Sequence, residues 1–230
     1  MINMKSIKNK PLAIIYIAVL LVFAVGTRQK PLESVDVFAM SASGQVIIID
    51  PGHGDWDPGK VVGEDILEKD INLSIAMKLQ RYFEQGGYYV LVTRADDTVL
   101  GDTKREDMAG RVTIINEGQG DLLISIHQNS FPDSRASGPQ VFYYGDSEES
   151  RRLAENVQNQ MVSFLDVRRR EPKANENYVM LKRTNIPAII VECGFLSNSD
   201  DRARLITESY QQRVAWAIYV GVLNFFNETP

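Results

Sequence analysis

This 230-residue chain holds one cysteine and two histidines. The lone thiol, Cys193, excludes an internal disulfide, so stability has to come from core packing. It also lies too far from the N-terminus to be a lipidation site beside a leader. A basic excess is missing too: 25 Lys and Arg stand against 30 Asp and Glu, for a formal net charge of −5. Nucleic-acid binding rests on phosphate neutralisation, so nucleic acid is excluded as the expected partner. There is no internal repeat and no low-complexity stretch, which excludes solenoids and appended wall-binding repeats. Nor is there an apolar run of membrane-spanning length. The longest uncharged one, "PLAIIYIAVLLVFAVG" at 11–26, has 16 residues. As a helix it reaches about 24 Å, short of a bilayer core of about 30 Å.

That run is nevertheless informative. Lys5, Lys8 and Lys10 precede it, giving the positive n-region and apolar h-region of a secretory signal, with "AVG" at 24–26 as a small-residue cleavage site. Residues 1–26 therefore read as a signal peptide or N-terminal membrane anchor, and the protein as exported across the cytoplasmic membrane. Residues 27–44 show no sustained period and read as a linker. Residues 45–230 read as one domain, and 44% hydrophobic residues suffice for a sizeable core.

Within the domain, strand and helix patterns alternate, the signature of an α/β sheet. Strands are predicted at 45–50, 88–94, 121–127, 139–144 and 187–192, with a short one around 178–181. Helices are predicted at 68–85, 104–117, 147–165 and 203–226. In the first helix Ile71, Ile75, Leu79 and Tyr82 share a face, and "QGG" at 85–87 ends it. The fold class is thus α/β, a single-domain mixed and mostly parallel sheet flanked by helices, of a phosphorylase/hydrolase-like kind.

Both histidines fall at strand ends. "IIIDPGHGDWD" (47–57) runs from a strand into a turn that carries His53 between two glycines, and "DLLISIHQNS" (121–130) brings a strand to His127. A third strand, "PAIIVECG", reaches Glu192. Ligands of open α/β sheets bind beyond the carboxyl ends of strands. Two imidazoles and a carboxylate converging there are the donor set of a catalytic zinc site with one position left for water. Glu192 and Glu68, which opens the first helix, are both candidate carboxylates, one for the metal and one for a base. Glu64 and Asp65 sit in a glycine-marked loop and read as solvated.

The motifs "IIIDPGHG" (47–54), "EKDINL" (68–73), "VTRADD" (92–97), "RVTIIN" (111–116), "DLLISIHQNS" (121–130) and "PAIIVECGFLSN" (187–198) occur in this order. With them the sequence resembles the zinc-dependent N-acetylmuramoyl-L-alanine amidases, the amidase 3 family. The resemblance implies one Zn2+ per chain held by His53, Glu68 and His127, with Glu192 as the catalytic glutamate. It implies a peptidoglycan substrate, cleaved between N-acetylmuramic acid and L-alanine of the stem peptide. Asn129 is a candidate for orienting His127 or binding a substrate carbonyl. Lys182 or Arg183, in "VMLKR" where the family more usually has Leu-Arg, is a candidate substrate contact. Gln128 stands where the family often has a small residue.

The compact exported form most resembles the sporulation branch (CwlD type), whose members strip stem peptides so that muramic-δ-lactam forms in spore cortex. Because no targeting module is present, an activating or targeting partner protein is expected, and the N-terminal segment is expected to contact the membrane. Two other readings share the features: a zinc peptidase cutting within the stem peptide, and a catalytically weak wall-binding scaffold on the same fold. Cys193 beside Glu192 reads as a small apolar thiol under the site rather than a nucleophile. Arg94 and Arg111 read as structural ion-pair partners.

Overall fold

The computed structural model describes residues 44–228. The leader and the linker up to residue 43 lie outside the described residues. Among the described residues no helix is long and apolar enough to cross a membrane.

Among the described residues there are eight strands and six helices, the strands in chain order being β1 (Val46–Pro51), β2 (Val61–Val62), β3 (Ile66–Leu67), β4 (Tyr89–Val92), β5 (Leu122–Asn129), β6 (Gln140–Tyr143), β7 (Lys173–Ala174) and β8 (Ala188–Phe195). The helices are α1 (Glu68–Gln85), α2 (Lys104–Glu117), α3 (Glu148–Leu165), α4 (Val179–Arg183), α5 (Ser199–Leu205) and α6 (Glu208–Asn227). The main sheet runs β4-β1-β5-β8-β6-β7, parallel except for the β6–β8 pair, while β2 and β3 make a separate antiparallel pair.

Central strands of such a sheet are covered on both faces, which is why β1, β5 and β8 are apolar without alternation. Ile47, Ile48 and Ile49 are wholly buried, each worth about 1.5–3 kcal/mol relative to exposure. Helices α1, α3 and α6 pack together over one face. On the other, Ile115 of α2 and Met180 and Leu181 of α4 join Ile48, Leu123, Phe142 and Ile190 in one cluster. Topology then fixes where a ligand sits. The chain leaves β1 for β4 on one side and leaves β5 for β6 on the other. The carboxyl ends of β1 and β5 therefore flank a switch point, where open α/β sheets bind their ligands.

Three expectations are corrected. The segment around 178–181 is helical, not a strand: Asn175 Oδ1 accepts from the Asn177 and Tyr178 backbone N–H groups and starts a single turn that seats Met180 and Leu181 on the sheet. The predicted 203–226 helix is two helices. Asn198 caps the first by accepting from the N–H groups of Asp200 and Asp201, and extended backbone at Thr207 divides the pair. The pair β2–β3, two residues a side, and the edge strand β7 went unpredicted because such short strands show no period.

Candidate metal centre

His53 lies in the turn just beyond β1, with a left-handed φ of 63°, a conformation that costs a non-glycine residue about 1–3 kcal/mol and persists only where its surroundings impose it. Two arginines impose it. Arg94 donates to the carbonyls of Pro51 (3.0 Å) and Gly52 (3.0 Å), and Arg111 to those of Pro51 (2.7 Å) and His53 (2.7 Å). Arg111 is the expected ion-pair partner, bonded to Asp50 (2.9 Å) and Asp107 (2.8 Å). Arg94 departs from that expectation: its remaining bonds go to the carbonyls of Lys69 and Asp96, so it works as a clamp on backbone. Asp50, at the end of β1, also accepts from Thr93 Oγ1 (2.6 Å) and Ser125 Oγ (2.7 Å). Burial opposes its ionisation, but the Arg111 charge and the two hydroxyls hold its carboxyl below the usual carboxylate range.

Glu68 arrives from the other side. The β2–β3 pair turns the chain back so that Glu68 opens α1, where its N–H donates to the Lys60 carbonyl and its Oε2 accepts from the Lys60 N–H at 2.8 Å. The buried Oε1 of Glu68 meets His53 Nε2 at 3.2 Å and His127 Nδ1 at 3.1 Å. The two imidazoles stand edge to face, with ring centroids 5.0 Å apart. One donor atom from each of His53, Glu68 and His127 lies within 4.8 Å of the others.

The donor set fits a metal ion on its own chemistry. His53 Nδ1 is 2.8 Å from Asp57 Oδ2, so that nitrogen carries the proton and donates it to the carboxylate. In the tautomer with the proton on Nδ1, the lone pair of Nε2 points toward the lone pairs of Glu68, an arrangement that a cation between them satisfies. Burial works against charge on Glu68, yet the hydrogen bond from His127 Nδ1 outweighs it and holds the carboxyl far below the usual range. Burial likewise lowers the His127 pKa, but Glu68 outweighs it and the net shift is upward.

A cavity and a second buried carboxyl adjoin the donor set. Glu192 is the register partner of His127 across β5 and β8. Its Oε2 is buried and has no hydrogen-bond partner among the described residues. Burial pushes its carboxyl up to about 7, with the Glu68 charge adding and the histidines opposing. A cavity of about 300 Å³ is lined by His53, Glu68, His127 and Glu192, with Asn129, Lys104 and Tyr178 among its walls. The sheet register shifts between His127 and Asn129, and four consecutive residues, His127 to Ser130, line the cavity there. No hydrogen bond among the described residues joins the Asn129 side chain to His127. Lys182 and Arg183 are exposed on α4 and stand outside this cavity, although Arg183 lines a recess beside it. Cys193 is buried, and burial pushes its thiol up, as suits a packing residue rather than a nucleophile.

Sequence reasoning missed the residues that brace this site. Asp57 is one, hidden because nothing in "HGDWD" reveals that the loop folds back through a Gly54–Asp57 bridge. Asn72 is another. It donates to Glu68 Oε1 (3.4 Å) and to the Gly52 carbonyl (3.1 Å), and accepts from Gln128 Nε2 (3.1 Å). Its position, four residues after Glu68 on the same helix face, was the available signal.

The N-acetylmuramoyl-L-alanine amidase family matches residues 47–224. The germination-specific N-acetylmuramoyl-L-alanine amidase of Bacillus subtilis is 36% identical over 199 residues, covering 83% of this chain and 84% of that protein. The CwlD amidase from Clostridioides difficile, solved in complex with the GerS lipoprotein, superposes with a TM-score of 0.78 at 37% identity, over 80% of this chain and all of that one. The catalytic domain of CwlV, an amidase from Bacillus (Paenibacillus) polymyxa, gives a TM-score of 0.72 at 29% identity, over 80% of this chain and 99% of that one.

Proposed function

The chain belongs to the N-acetylmuramoyl-L-alanine amidase family, and from that premise we propose that His53, Glu68 and His127 hold one Zn2+ while Glu192 is the general base of its amide hydrolysis. The substrate is the bond between N-acetylmuramic acid and the L-alanine of a peptidoglycan stem peptide. One observation carries the reading: a donor set gathered within 4.8 Å faces a buried glutamate oxygen that has no other partner.

Zinc at such a site supplies Lewis acidity, polarising a carbonyl and lowering the pKa of water. The chain does the rest. Asp57 fixes the tautomer of His53, and Asn72 and the Gln128 N–H hold Glu68 Oε1 in place. Glu192 Oε2 takes the proton of the attacking water and returns it to the alanine nitrogen as the C–N bond breaks. Among the described residues this buried oxygen has no other partner, which leaves it free for both halves of that task.

The wider setting extends the same proposal. A relative named for germination and a related amidase bound to a lipoprotein support a role in spore-cortex peptidoglycan, with a partner protein that places or activates the enzyme. Residues 1–26 carry the chain across the cytoplasmic membrane and either leave it or anchor it there. The test digests purified peptidoglycan with the zinc-loaded full chain and identifies the products. Stem peptides with free L-alanine amino termini are expected. Cuts inside the stem peptide would make it a peptidase, and a zinc-loaded protein that releases nothing would make it a binding scaffold.

A further inference from the structure

Beside the metal cavity lies a second, shallower recess of about 380 Å³, lined by Lys104, Arg105, Met108, Ala109, Val179 and Arg183. Lys104, Met108 and Val179 also line the metal cavity, so the two form one continuous groove. In a chain whose formal net charge is −5, this end of the groove is cationic. Among the described residues, the guanidinium groups of Arg105 and Arg183 have no carboxylate partner, while Lys104 lies 3.5 Å from Asp57. The cations stand on two helices. Lys104 and Arg105 open α2, and Arg183 ends α4. The two helices pack against each other, so their spacing is set by the fold. Met108, Ala109 and Val179 give the recess an apolar floor.

We propose that this recess is a subsite for carboxylate groups of the stem peptide, and so marks the peptide side of the scissile bond. The assignment rests on the amidase reading and on the chemistry of its substrate. In the amide to be cut, the muramic acid carboxyl is already consumed and the alanine nitrogen is acylated. The N-acetylated sugars flanking the bond are neutral, whereas the peptide retains its C-terminal carboxylate and any acidic group along it. Cations placed along the groove from the metal site therefore complement the peptide and not the glycan. Val179 and Met108 offer contact to its apolar side chains. Of the two α4 residues singled out in the sequence, Arg183 lines the recess and Lys182 does not.

The experiment measures binding rather than turnover. Zinc-loaded, full-chain Glu192→Gln is titrated calorimetrically with two muramoyl stem peptides, identical except that the carboxyl groups are free in one and carboxamides in the other. The free acid should bind about fivefold more tightly, as expected when exposed ion pairs contribute up to about 1 kcal/mol. That preference should shrink with added salt. Adding Arg105→Gln and Arg183→Gln should bring the ratio close to one, and Arg183→Glu should invert it. Arg81→Gln, on the exposed surface of α1, should leave the ratio as it was. Equal binding of both peptides by the parent, binding of neither, or an unchanged ratio in the double variant would overturn the subsite. So would a recess that binds a glycerol-phosphate polymer but does not distinguish the peptides. Product analysis tests the reaction separately: cuts at another bond would sink the amidase reading, whereas a lost acid preference would sink only the subsite.

Discussion

Asp57 Oδ2 lies 2.8 Å from His53 Nδ1, inside a loop that doubles back on itself over four residues. The carboxylate does not face the proposed metal donors. It holds the far side of one of them and sets which nitrogen is free to bind. Lys104 lies 3.5 Å from the same oxygen, so the partially exposed Asp57 links the donor set to the cationic end of the groove.

Replacing Asp57 with Asn keeps the shape of the loop but releases the tautomer. Zinc affinity should fall by about 10–100-fold, the usual cost of removing such a partner. Competition with a chromophoric chelator measures it directly. An unchanged affinity would show that the His53 ring is fixed by packing alone. His127→Ala removes a donor outright, and elemental analysis should find the metal lost.

Glu192→Gln separates holding the metal from using it. The side chain keeps its size and its place opposite His127 on β8. Bound zinc should stay at one per chain while kcat falls by about 10²–10⁴-fold. KM should change little, because the carboxylate acts on the proton and not on substrate binding. A variant with near-normal turnover would remove Glu192 from its role.

How much of this was legible beforehand follows from what periodicity and strand-end logic can reach. The strands ending near His53, His127 and Glu192 are long apolar runs bounded by turn residues, so their ends, and the side chains they bring together, were readable. Helix α1 begins and ends where its pattern said. Helix α4 did not look helical, because five residues give one turn and the tertiary contacts of Met180 and Leu181 decide its form. The role of Arg94 was equally hidden. A guanidinium that donates to four carbonyls has no partner that a sequence can display.

Gly52 makes a different point, about steric room. A Cβ built on it would lie 2.1 Å from His127 Cε1, closer than atoms can approach. Gly52→Ala should therefore push the His127 ring out of the donor set while the strand beneath it stays intact. Metal content should fall with little change in far-UV circular dichroism. Retention of tightly bound zinc would mean that His127 can bind from another rotamer.

Asp50 ties β1 to Arg111, Thr93 and Ser125. Burial raises its pKa, but Arg111 and the hydroxyls win and the folded value lies below that of an ordinary aspartate. For a carboxyl depressed by folding, the stabilising contribution is fully present above the unfolded pKa, about 3.9, and is lost as pH falls through the folded one. Chelator-treated protein, in which metal release plays no part, should show a urea midpoint that holds from about pH 7 to 5 and drops below about pH 4. Asp50→Asn should start lower, because Arg111 then keeps a buried charge short of one partner at a cost of about 3–5 kcal/mol. It should also fall less steeply with acid, since the group that titrates is gone. Parallel curves for the two proteins would place the acid sensitivity in other carboxylates and leave Asp50 with a purely geometric role in holding Arg111 against the His53 turn.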